Sequence, residues 1–536
     1  MSEKAPTSPK PAREGQPARE GSYALLVASG IFLSRIAGLV RQKAMAHYLG
    51  SAAAADAFNA AFRIPNLLQN LFGDGALSAS FIPVYAGLLA KEDRGAADRV
   101  AGAVGTALAL ICAVLVAAGV VGAPYLVWAI APGFTGPTQD LTVHLVRILF
   151  PGAGLLAMSA WCLGILNSHR KFLMSYAAPV VWNFAMIAAL LGLGPHQSTE
   201  DLAVTVAIAS VVGSALQLGV QLPVVWKLAP GIRPLLNLAD ANVRTTARNF
   251  GPAFFGRGVM QISSYIDSVL ASLLPIGSVA IFGYAQALYT LPVSLFGMSV
   301  SAAELPAMSS VIGSDAEVAE WLRGRLAGGL RRIAYFVIPS AAAFVLLGDT
   351  IAAGLFQSGQ FDRSDSLRVW AALAGSSVGL LAQTWARLYS STWYALKDTR
   401  TPLRIAFIRV VLTTALGWVM AVQTPEWLGI DSQWGVAGLT ASAGIAGWVE
   451  YILLRRALEA RIGKTGIDAG IVMRLWGAAA VAGAAGVLVK LATTPLHPVL
   501  AATLTCGVFG AIYLASTAAM GMEEVRPILR KLRIRL

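Results

Sequence analysis

Apolar runs of about 20 residues recur along this chain, and they constrain its fold more than any other feature. An α-helix rises about 1.5 Å per residue, so a run of this length crosses the hydrocarbon core of a bilayer. Hydrophobic residues occupy 56% of the 536 positions and charged residues only 13%. This composition excludes a soluble protein of several domains and predicts an all-α polytopic membrane protein.

The apolar runs predict 14 transmembrane helices, which follow a tail at 1–22. The tail is rich in Pro, Lys, Arg and Glu without apolar periodicity, so we expect it to be disordered and cytoplasmic. It is too long and too mixed in charge for the start of a cleaved signal peptide, so the first helix should be retained. The predicted helices cover roughly 23–48, 54–90, 101–131, 142–166, 174–194, 202–226, 246–273, 278–310, 328–357, 368–394, 402–423, 435–455, 471–492 and 497–520.

Lys and Arg are concentrated in alternate loops, which predicts the orientation of the chain. Basic loops stay in the cytoplasm, so both termini are expected there. The net charge of +13 therefore indicates membrane topology, not nucleic-acid binding. The basic segments are 91–99, 170–171, 227–248, 323–332, 397–404, 455–464 and 526–535; the opposite loops 131–141, 195–201 and 423–434 hold almost none, with Arg363 the clear exception.

A faint internal repeat predicts two lobes. Three points recur at an offset of 227 residues: Gly50 as Gly277, Ser51 as Ser278 and Pro65 as Pro292. Six helices per unit is an even number, so the lobes would share one orientation about a pseudo-two-fold axis along the membrane normal; chance coincidence is the alternative. The predicted divisions are the tail 1–22, an N-lobe at 23–226, a C-lobe at 227–457, and two further helices with a basic cytoplasmic tail at 458–536.

The stretch 34–85 carries charges inside apolar sequence: Arg35, Arg41, Asp56, Arg63 and Asp74. Breaks in its helices are expected at 64–66 and 73–75, where Pro and Gly occur. A charge in hydrocarbon costs at least a few kcal/mol, so such residues normally face a polar cavity. The stretch predicts a cavity for something anionic. The alternative is that the charges snorkel to the two interfaces.

Short motifs in this stretch and beyond it resemble the MurJ (MviN) family of lipid II flippases, within the multidrug/oligosaccharidyl-lipid/polysaccharide exporter superfamily. The resemblance spans roughly 23–460. The motifs are Ser34-Arg35 with Gly38 and Arg41, Asp56-Ala57-Phe58, the run from Phe62 to Leu68, Gly75-Ala76 with Phe81-Ile82-Pro83, Ala131 to Phe134, Asn167 to Phe172, Ala178-Pro179 with Asn183, Gly251-Pro252-Ala253, Gln261-Ile262-Ser263 and Asp398 to Pro402.

The resemblance implies a transporter and not an enzyme. It implies two six-helix lobes and two C-terminal helices that shape a groove for a lipid tail. The implied substrate is the undecaprenyl-diphosphate-linked peptidoglycan precursor, moved by alternating access from the cytoplasmic to the outer leaflet of the bacterial inner membrane. A monomer in the lipid bilayer is expected, with the cell-wall synthesis machinery as a potential partner.

The diphosphate of such a substrate calls for guanidinium groups, which bind phosphate oxygens in pairs. Arg35, Arg41 and Arg63 can supply them, with Arg35 the leading candidate. Ser34 and Asn66 are suitable neutral donors.

Asp56 and Asp74 are the acidic candidates of the same stretch. They could hold the arginines in place, or form a gate that opens when the substrate competes. Flipping breaks no bond, so neither a nucleophile nor a metal is required. The sequence has no Walker loop and no His/Cys cluster, and its three cysteines all lie in apolar runs.

The chain departs from the family pattern at two places. Gln69 and Asn70 stand where the family has a basic residue after the Pro-Asn-Leu-Leu run. Gln286, Ala287 and Thr290 stand where the family has an acidic–basic pair and then a glutamate. An arginine that the resemblance places in substrate binding is therefore missing.

Arg257 and Glu304 are the predicted replacement. Both lie at positions where the family usually has apolar or small residues, and their predicted depths nearly match. We expect Arg257 to supply the second lobe's cationic contact, with Glu304 holding it when no substrate is bound. The alternatives are a purely structural salt bridge, or two residues that snorkel separately.

A coupling cation is the remaining question. Some family members hold sodium between helices 7, 11 and 12. Here Asp267 matches one ligand position, but Thr413 and Gly417 stand at the helix 11 positions and leave few oxygens. We therefore commit to no bound metal, with Asp267 the weak candidate, and predict no cofactor other than an optional coupling cation; the membrane potential or an ion gradient is expected to drive transport.

Four other functions fit less well. A flippase for another undecaprenyl-linked glycan would need the same phosphate contacts and a different sugar pocket. A cation-coupled drug exporter of the same superfamily would lack the arginine cluster. An integral-membrane enzyme acting on polyprenyl phosphates would need acid/base or metal residues gathered at one membrane face. A non-transporting scaffold is suggested by the missing arginine alone.

Overall fold

The computed structural model describes residues 17–237, 239–309, 311, 314–526 and 530; the side chains at 17–29, 31, 65, 69, 73–76, 79, 252–253 and 255–264 are outside that description. The described chain is α-helical, with one isolated bridge between Ser358 and Phe361. The helices are α1 (Pro17–Leu49), α2 (Ala53–Gln69), α3 (Ser78–Ala90), α4 (Arg94–Val121), α5 (Ala123–Ile130), α6 (Gly136–Ser168), α7 (Phe172–Leu193), α8 (Thr199–Leu228), α9 (Ala241–Ser272), α10 (Ser278–Pro292), α11 (Ser299–Ser309), α12 (Asp315–Phe356), α13 (Arg363–Ala395), α14 (Arg400–Trp418), α15 (Thr424–Leu428), α16 (Gly435–Ile462), α17 (Ala469–Ala492) and α18 (Pro498–Ala519).

Three pairs of helices are joined by π-helical turns into continuous segments. The turns are Asn70–Leu77 between α2 and α3, Val293–Met298 between α10 and α11, and Val419–Gln423 between α14 and α15. The break predicted at 64–66 is wrong, because α2 runs through it, whereas at 73–75 the α-helix is interrupted by the π turn between α2 and α3. A π turn changes the carbonyl that each amide meets, so glycines can be absorbed without ending the helix.

The predicted membrane helices correspond in order to these segments when α4 and α5, separated at Gly122, are counted together. Among the described residues, 10 helical segments are long and apolar enough to cross a membrane. This confirms a multi-pass helical membrane protein. The number of segments that actually cross stays a prediction.

Helix packing divides the segments into two groups with one helix between them. In the first half α6 packs against α2, α4 and α8, and α7 packs against α1 and α8. In the second half α13 packs against α10, α11, α12 and α16, and α14 packs against α16. Helix α9 touches α3, α4 and α5 on one side and α10, α14 and α16 on the other. The final pair, α17 and α18, packs against α12; the lobe boundaries themselves stay a prediction.

The closest approach in the second half is between α13 and α16. A Cβ on Gly379 would collide with the backbone of Gly444, so only glycine allows this crossing. Lipid provides no hydrophobic drive for helices to associate, and close backbone contact supplies packing energy in its place. Helix α13 is consequently buried along most of its length.

Candidate functional site between the two halves

Asp56 is a buried acid at the start of α2, and it contacts the second half of the protein. One carboxylate oxygen accepts a hydrogen bond from the amide of Gly277 at 2.6 Å and the other from the amide of Ala280 at 2.7 Å. These amides belong to the beginning of α10, where helices leave donors unsatisfied and favour negative charge. Asp56 therefore caps a helix of the other half. The arginine partner predicted for it is not what its carboxylate binds.

Four further hydrogen bonds among the described residues join the halves at this end: Ser51 Oγ to Asp365 Oδ1 at 2.5 Å, the Gln360 amide to the His47 carbonyl at 2.8 Å, the Tyr284 hydroxyl to the Gly50 carbonyl at 3.0 Å, and Lys43 Nζ to the Leu355 carbonyl at 2.8 Å. Gly50 and Gly277, the glycines of the internal repeat, both have positive φ, of 57° and 92°. They form the tight turns α1–α2 and α9–α10. The loops that meet here lie on the side of the membrane opposite the basic loops, which is the predicted outer side. The two halves are therefore in contact at the predicted outer end.

Arg41 lies against aromatic rings of the first half. Its guanidinium carbon is 5.2 Å from the Phe62 ring centroid and 5.3 Å from that of Trp182. The two rings stack at 5.5 Å with an interplanar angle of 7°. Cation–π contact of this kind stabilises a charge that has left water. Within the described residues Arg41 forms no ion pair, so its charge is uncompensated.

Arg63 connects α2 to both α9 and α10. Its guanidinium carbon lies 5.3 Å from the ring centroid of Phe282, in α10. Its backbone carbonyl accepts a 2.6 Å hydrogen bond from the hydroxyl of Tyr265, in α9. This predicted site residue therefore lies where the two halves meet.

Arg35 is the most accessible of the three predicted arginines. Its side chain is exposed, and in the described part of the chain its guanidinium has no hydrogen bond or ion pair. It lies 14 residues before Leu49, the last residue of α1, which places it about 21 Å from the outer end. Ser34 and Asn66 are half-buried. The role predicted for Arg35, contact with an anionic substrate, stays a prediction.

Glu304 has two described partners on α12. Its carboxylate lies 2.8 Å from Arg325 and 3.5 Å from Arg332, and its side chain is buried. The sequence placed the start of this helix at 328, whereas α12 begins at Asp315 because Ser314 and Glu317 form a capping box. The early start brings Arg325 onto a helix beside α11.

Arg257 and Asp74 have side chains outside the described residues. Their backbones lie in α9 and in the π turn after α2. The roles predicted for both stay predictions.

A polar cluster in the second half was not identified from the sequence. Arg409 of α14 donates to Glu450 of α16 at 3.1 Å, and the Tyr289 hydroxyl donates to Gln383 of α13 at 2.8 Å. Arg387, one turn after Gln383, is exposed. The sequence signal that could have identified this cluster is one charged residue in each of three consecutive apolar runs: Arg387, Arg409 and Glu450.

Asp267, the weak metal candidate, lies in α9, and buried oxygens without a described partner occur there and on α14. Asp267 Oδ1 and Thr413 Oγ1 are buried without a hydrogen-bond partner, which leaves room for a donor. Arg409, one turn from Thr413, already places a fixed cation in this region, and the carboxylate it binds is that of Glu450. No group of three His, Cys, Asp or Glu side chains gathers among the residues that could be searched. Whether a cation binds near Asp267 stays a prediction.

Comparison with known proteins identifies relatives over most of the chain. A model of the family described as lipid II flippase MurJ matches residues 45–509. The lipid II flippase MurJ of Burkholderia cenocepacia is 33% identical over 445 residues, which covers 82% of this chain and 84% of that protein. A solved structure of a lipid II flippase MurJ in an inward closed conformation superposes with a TM-score of 0.76 at 22% identity, covering 94% of this chain and all of that one. An inward-facing multidrug resistance MATE family transporter shares the fold more distantly, with a TM-score of 0.64 at 15% identity over 82% of this chain and 98% of that one.

Proposed function

This chain belongs to the lipid II flippase MurJ family, and we propose that it moves lipid-linked peptidoglycan precursor from the cytoplasmic to the outer leaflet of the bacterial inner membrane. The observation that carries the proposal is Arg35: an exposed guanidinium without a described partner on α1, in the same stretch of the sequence as Arg41 and Arg63. Guanidinium groups suit the diphosphate of such a lipid, because they donate two parallel hydrogen bonds to its oxygens.

Transport by alternating access requires that the outer closure open and an inner closure form. The closure at the outer end includes hydrogen bonds around Asp56 and Ser51, besides the packing of buried side chains such as Leu49 and Tyr284. Each such bond contributes only about 1 kcal/mol net, so binding of the precursor can shift the balance between two states. Since no bond in the substrate breaks, the residues need only bind, neutralise and release charge.

The polyprenyl tail needs an apolar surface that is continuous with the bilayer. A cavity of about 320 Å³ lies between α12, α13, α16 and α17, lined by Trp385, Trp448, Tyr451 and Met473 among others. We propose that the C-terminal helices accommodate the tail beside such surfaces while the headgroup crosses between the halves.

We propose that the membrane potential drives transport. We also propose that both termini lie in the cytoplasm. Moving a negative charge outward, away from the negative interior of the cell, releases about 2.3 kcal/mol per elementary charge per 100 mV. The diphosphate supplies that charge. A monomer acting alone or beside the cell-wall synthesis machinery is consistent with this proposal, which requires no cofactor.

Complementation of a strain depleted of its own lipid II flippase tests the function. We expect growth and cell shape to be restored by the wild-type chain and not by Arg35→Ala. A second experiment depletes this chain in its own host. The lipid-linked precursor that then accumulates identifies the substrate. Accumulation of a different undecaprenyl-linked glycan would support the second candidate function, a flippase for that glycan. Gln286 and Ala287 favour this candidate, because they stand where the family has charged residues.

A further inference from the structure

Arg363 is the basic residue that the alternation of Lys and Arg does not explain, because it lies at the predicted outer side of the membrane. The structure pairs it with Asp349 of α12, whose side chain is only 6% exposed. Arg363 Nη2 lies 3.3 Å from one carboxylate oxygen, and Nζ of Lys490, in α17, lies 2.7 Å from the other. A buried carboxylate needs cations to offset the loss of water. One acid is thus shared by two cations from different helices.

The shared acid connects the C-terminal helix pair to the rest of the second half. Within the described chain, the contact of Lys490 with Asp349 is the one side-chain hydrogen bond that α17 makes to another helix. The other close contacts of α17 with α12 are apolar, with Gly483 against Leu346 and a glycine one turn later against the next leucine. Apolar contacts are non-directional, whereas an ion pair requires two particular groups to stay within reach. Lys490, two residues before the end of α17, therefore fixes the outer end of that helix to α12.

Arg363 is the first residue of α13, and the beginning of α13 forms part of the outer contact with the first half. Asp365, two residues later, accepts the 2.5 Å hydrogen bond from Ser51 of the first half. In the loop just before α13, the amide of Gln360 donates to the His47 carbonyl at 2.8 Å. The segment 357–366 is therefore held to the first half by two hydrogen bonds and to α12 by the ion pair with the shared acid.

The charge balance at this end sets the direction of the effect. The other charged side chains that α1, α2, α12 and the start of α13 place here have partners of their own. They are Lys43 on the Leu355 carbonyl, Asp56 on the Gly277 amide, Asp362 on the Ser364 hydroxyl, Asp365 on the Ser51 hydroxyl and Arg368 on the Ile276 carbonyl. Asp349 is thus left to Arg363 and Lys490, which repel each other across one carboxylate. Removing Lys490 therefore strengthens the hold of Asp349 on Arg363.

We propose that Asp349 couples the position of α17 to the outer contact between the two halves. When Lys490 is withdrawn, Asp349 holds Arg363 more firmly and the outer contact is stabilised. When Lys490 returns, it competes for the carboxylate and the contact opens more easily. The consequence for transport rests on the proposed function: a polyprenyl tail that moves α17 away from α12 would keep the outer contact closed until the tail leaves.

The test measures hydrogen–deuterium exchange at the Gln360 amide, which bonds to the first half, by mass spectrometry of the full chain in lipid nanodiscs. For Lys490→Met we expect this exchange to slow by about two- to fivefold, the range for an ion pair with one exposed member. Lys490→Arg keeps the charge and should match the wild type. Arg363→Met should speed the exchange. In the Arg363→Met background, Lys490→Met should have no effect, because its influence passes through Arg363.

Glu524→Gln is the matched control, because it removes an ion pair between the C-terminal segment and Arg331 of α12 at the opposite end. It should leave exchange at Gln360 unchanged. Unchanged or faster exchange in folded Lys490→Met overturns the proposal, as does equal slowing in Glu524→Gln or slowing that persists without Arg363. If Lys490→Met elutes as aggregate, Lys490→Gln replaces it and is judged by the same criteria. These exchange rates need no substrate, so their failure leaves the proposed function intact, whereas failed complementation by the wild type overturns that function and leaves the coupling.

Discussion

The carboxylate of Asp56 in α2 accepts the backbone amide of Gly277, 221 residues later in the chain, at 2.6 Å. A side chain of the first half thus caps α10, a helix of the second half. Caps of this kind are typically worth about 1 kcal/mol, and more when buried. The outer closure of the protein therefore depends on a contact that can be removed by one substitution.

Asp56→Ala should release the first turn of α10. We expect faster hydrogen–deuterium exchange at the amides of Gly277 and Ala280, measured by mass spectrometry, because they lose their acceptor. Ser51→Ala is the control, since it removes the 2.5 Å bond to Asp365 without touching those amides. Equal exchange in the wild type and Asp56→Ala would show that the cap contributes nothing to the closure.

Arg35→Ala should abolish flipping while the protein still inserts and folds. The side chain is exposed and has no described partner, so its loss leaves the packing unchanged. Arg35→Lys should rescue only partly, because an ammonium cannot donate in a fork. Complementation measures activity, and size-exclusion chromatography in detergent checks folding. Full complementation by Arg35→Ala would place the phosphate contact elsewhere.

Glu304 and its arginines should respond asymmetrically to substitution. Arg325 and Arg332 are 43% and 56% exposed and can be hydrated when Glu304 is replaced by Gln, whereas Glu304 is 6% exposed. Removing both arginines leaves a buried acid unpaired, which costs about 3 kcal/mol. Thermal unfolding should therefore show a larger loss for the double Arg→Ala variant than for Glu304→Gln. If the double variant is as stable as the wild type, another cation, with Arg257 the first candidate, neutralises Glu304.

Labelling of single cysteines tests the orientation of the chain. In a background without Cys112, Cys162 and Cys506, we expect an impermeant maleimide added outside to reach cysteines placed in 131–141 and 423–434. It should miss a cysteine at the exposed position 92, in the loop before α4, until the membrane is opened. The reverse pattern would invert the proposed topology and the direction of transport.

Asp398 should stabilise the start of α14 in a pH-dependent way. Its carboxylate accepts the amides of Thr401 and Arg400 and the Thr401 hydroxyl, and these hydrogen bonds hold the pKa of Asp398 below its usual value. The stabilisation is therefore fully present above the usual pKa of about 3.9 and is lost as the pH falls through the lower folded value. We expect Asp398→Asn to lower the unfolding temperature at pH 7 and to match the wild type near pH 2. A difference that is constant with pH would exclude the charge as its cause.

The sequence by itself determined the helical membrane class and the stretch with Arg35, Arg41 and Arg63. Both follow from local properties, because about 20 residues decide whether a helix enters a bilayer and one charge inside such a run is already anomalous. The order of the helical segments followed for the same reason.

Only the tertiary structure decided the partners of the charges. Asp56 meets amides of α10, Glu304 meets α12, and Arg409 of α14 meets Glu450 of α16. Hydropathy records that a residue is polar but not which helix face it meets, since that depends on how the segments pack together. The continuity of α2 through Pro65, with the π turn only after Gln69, was likewise decided in the folded bundle.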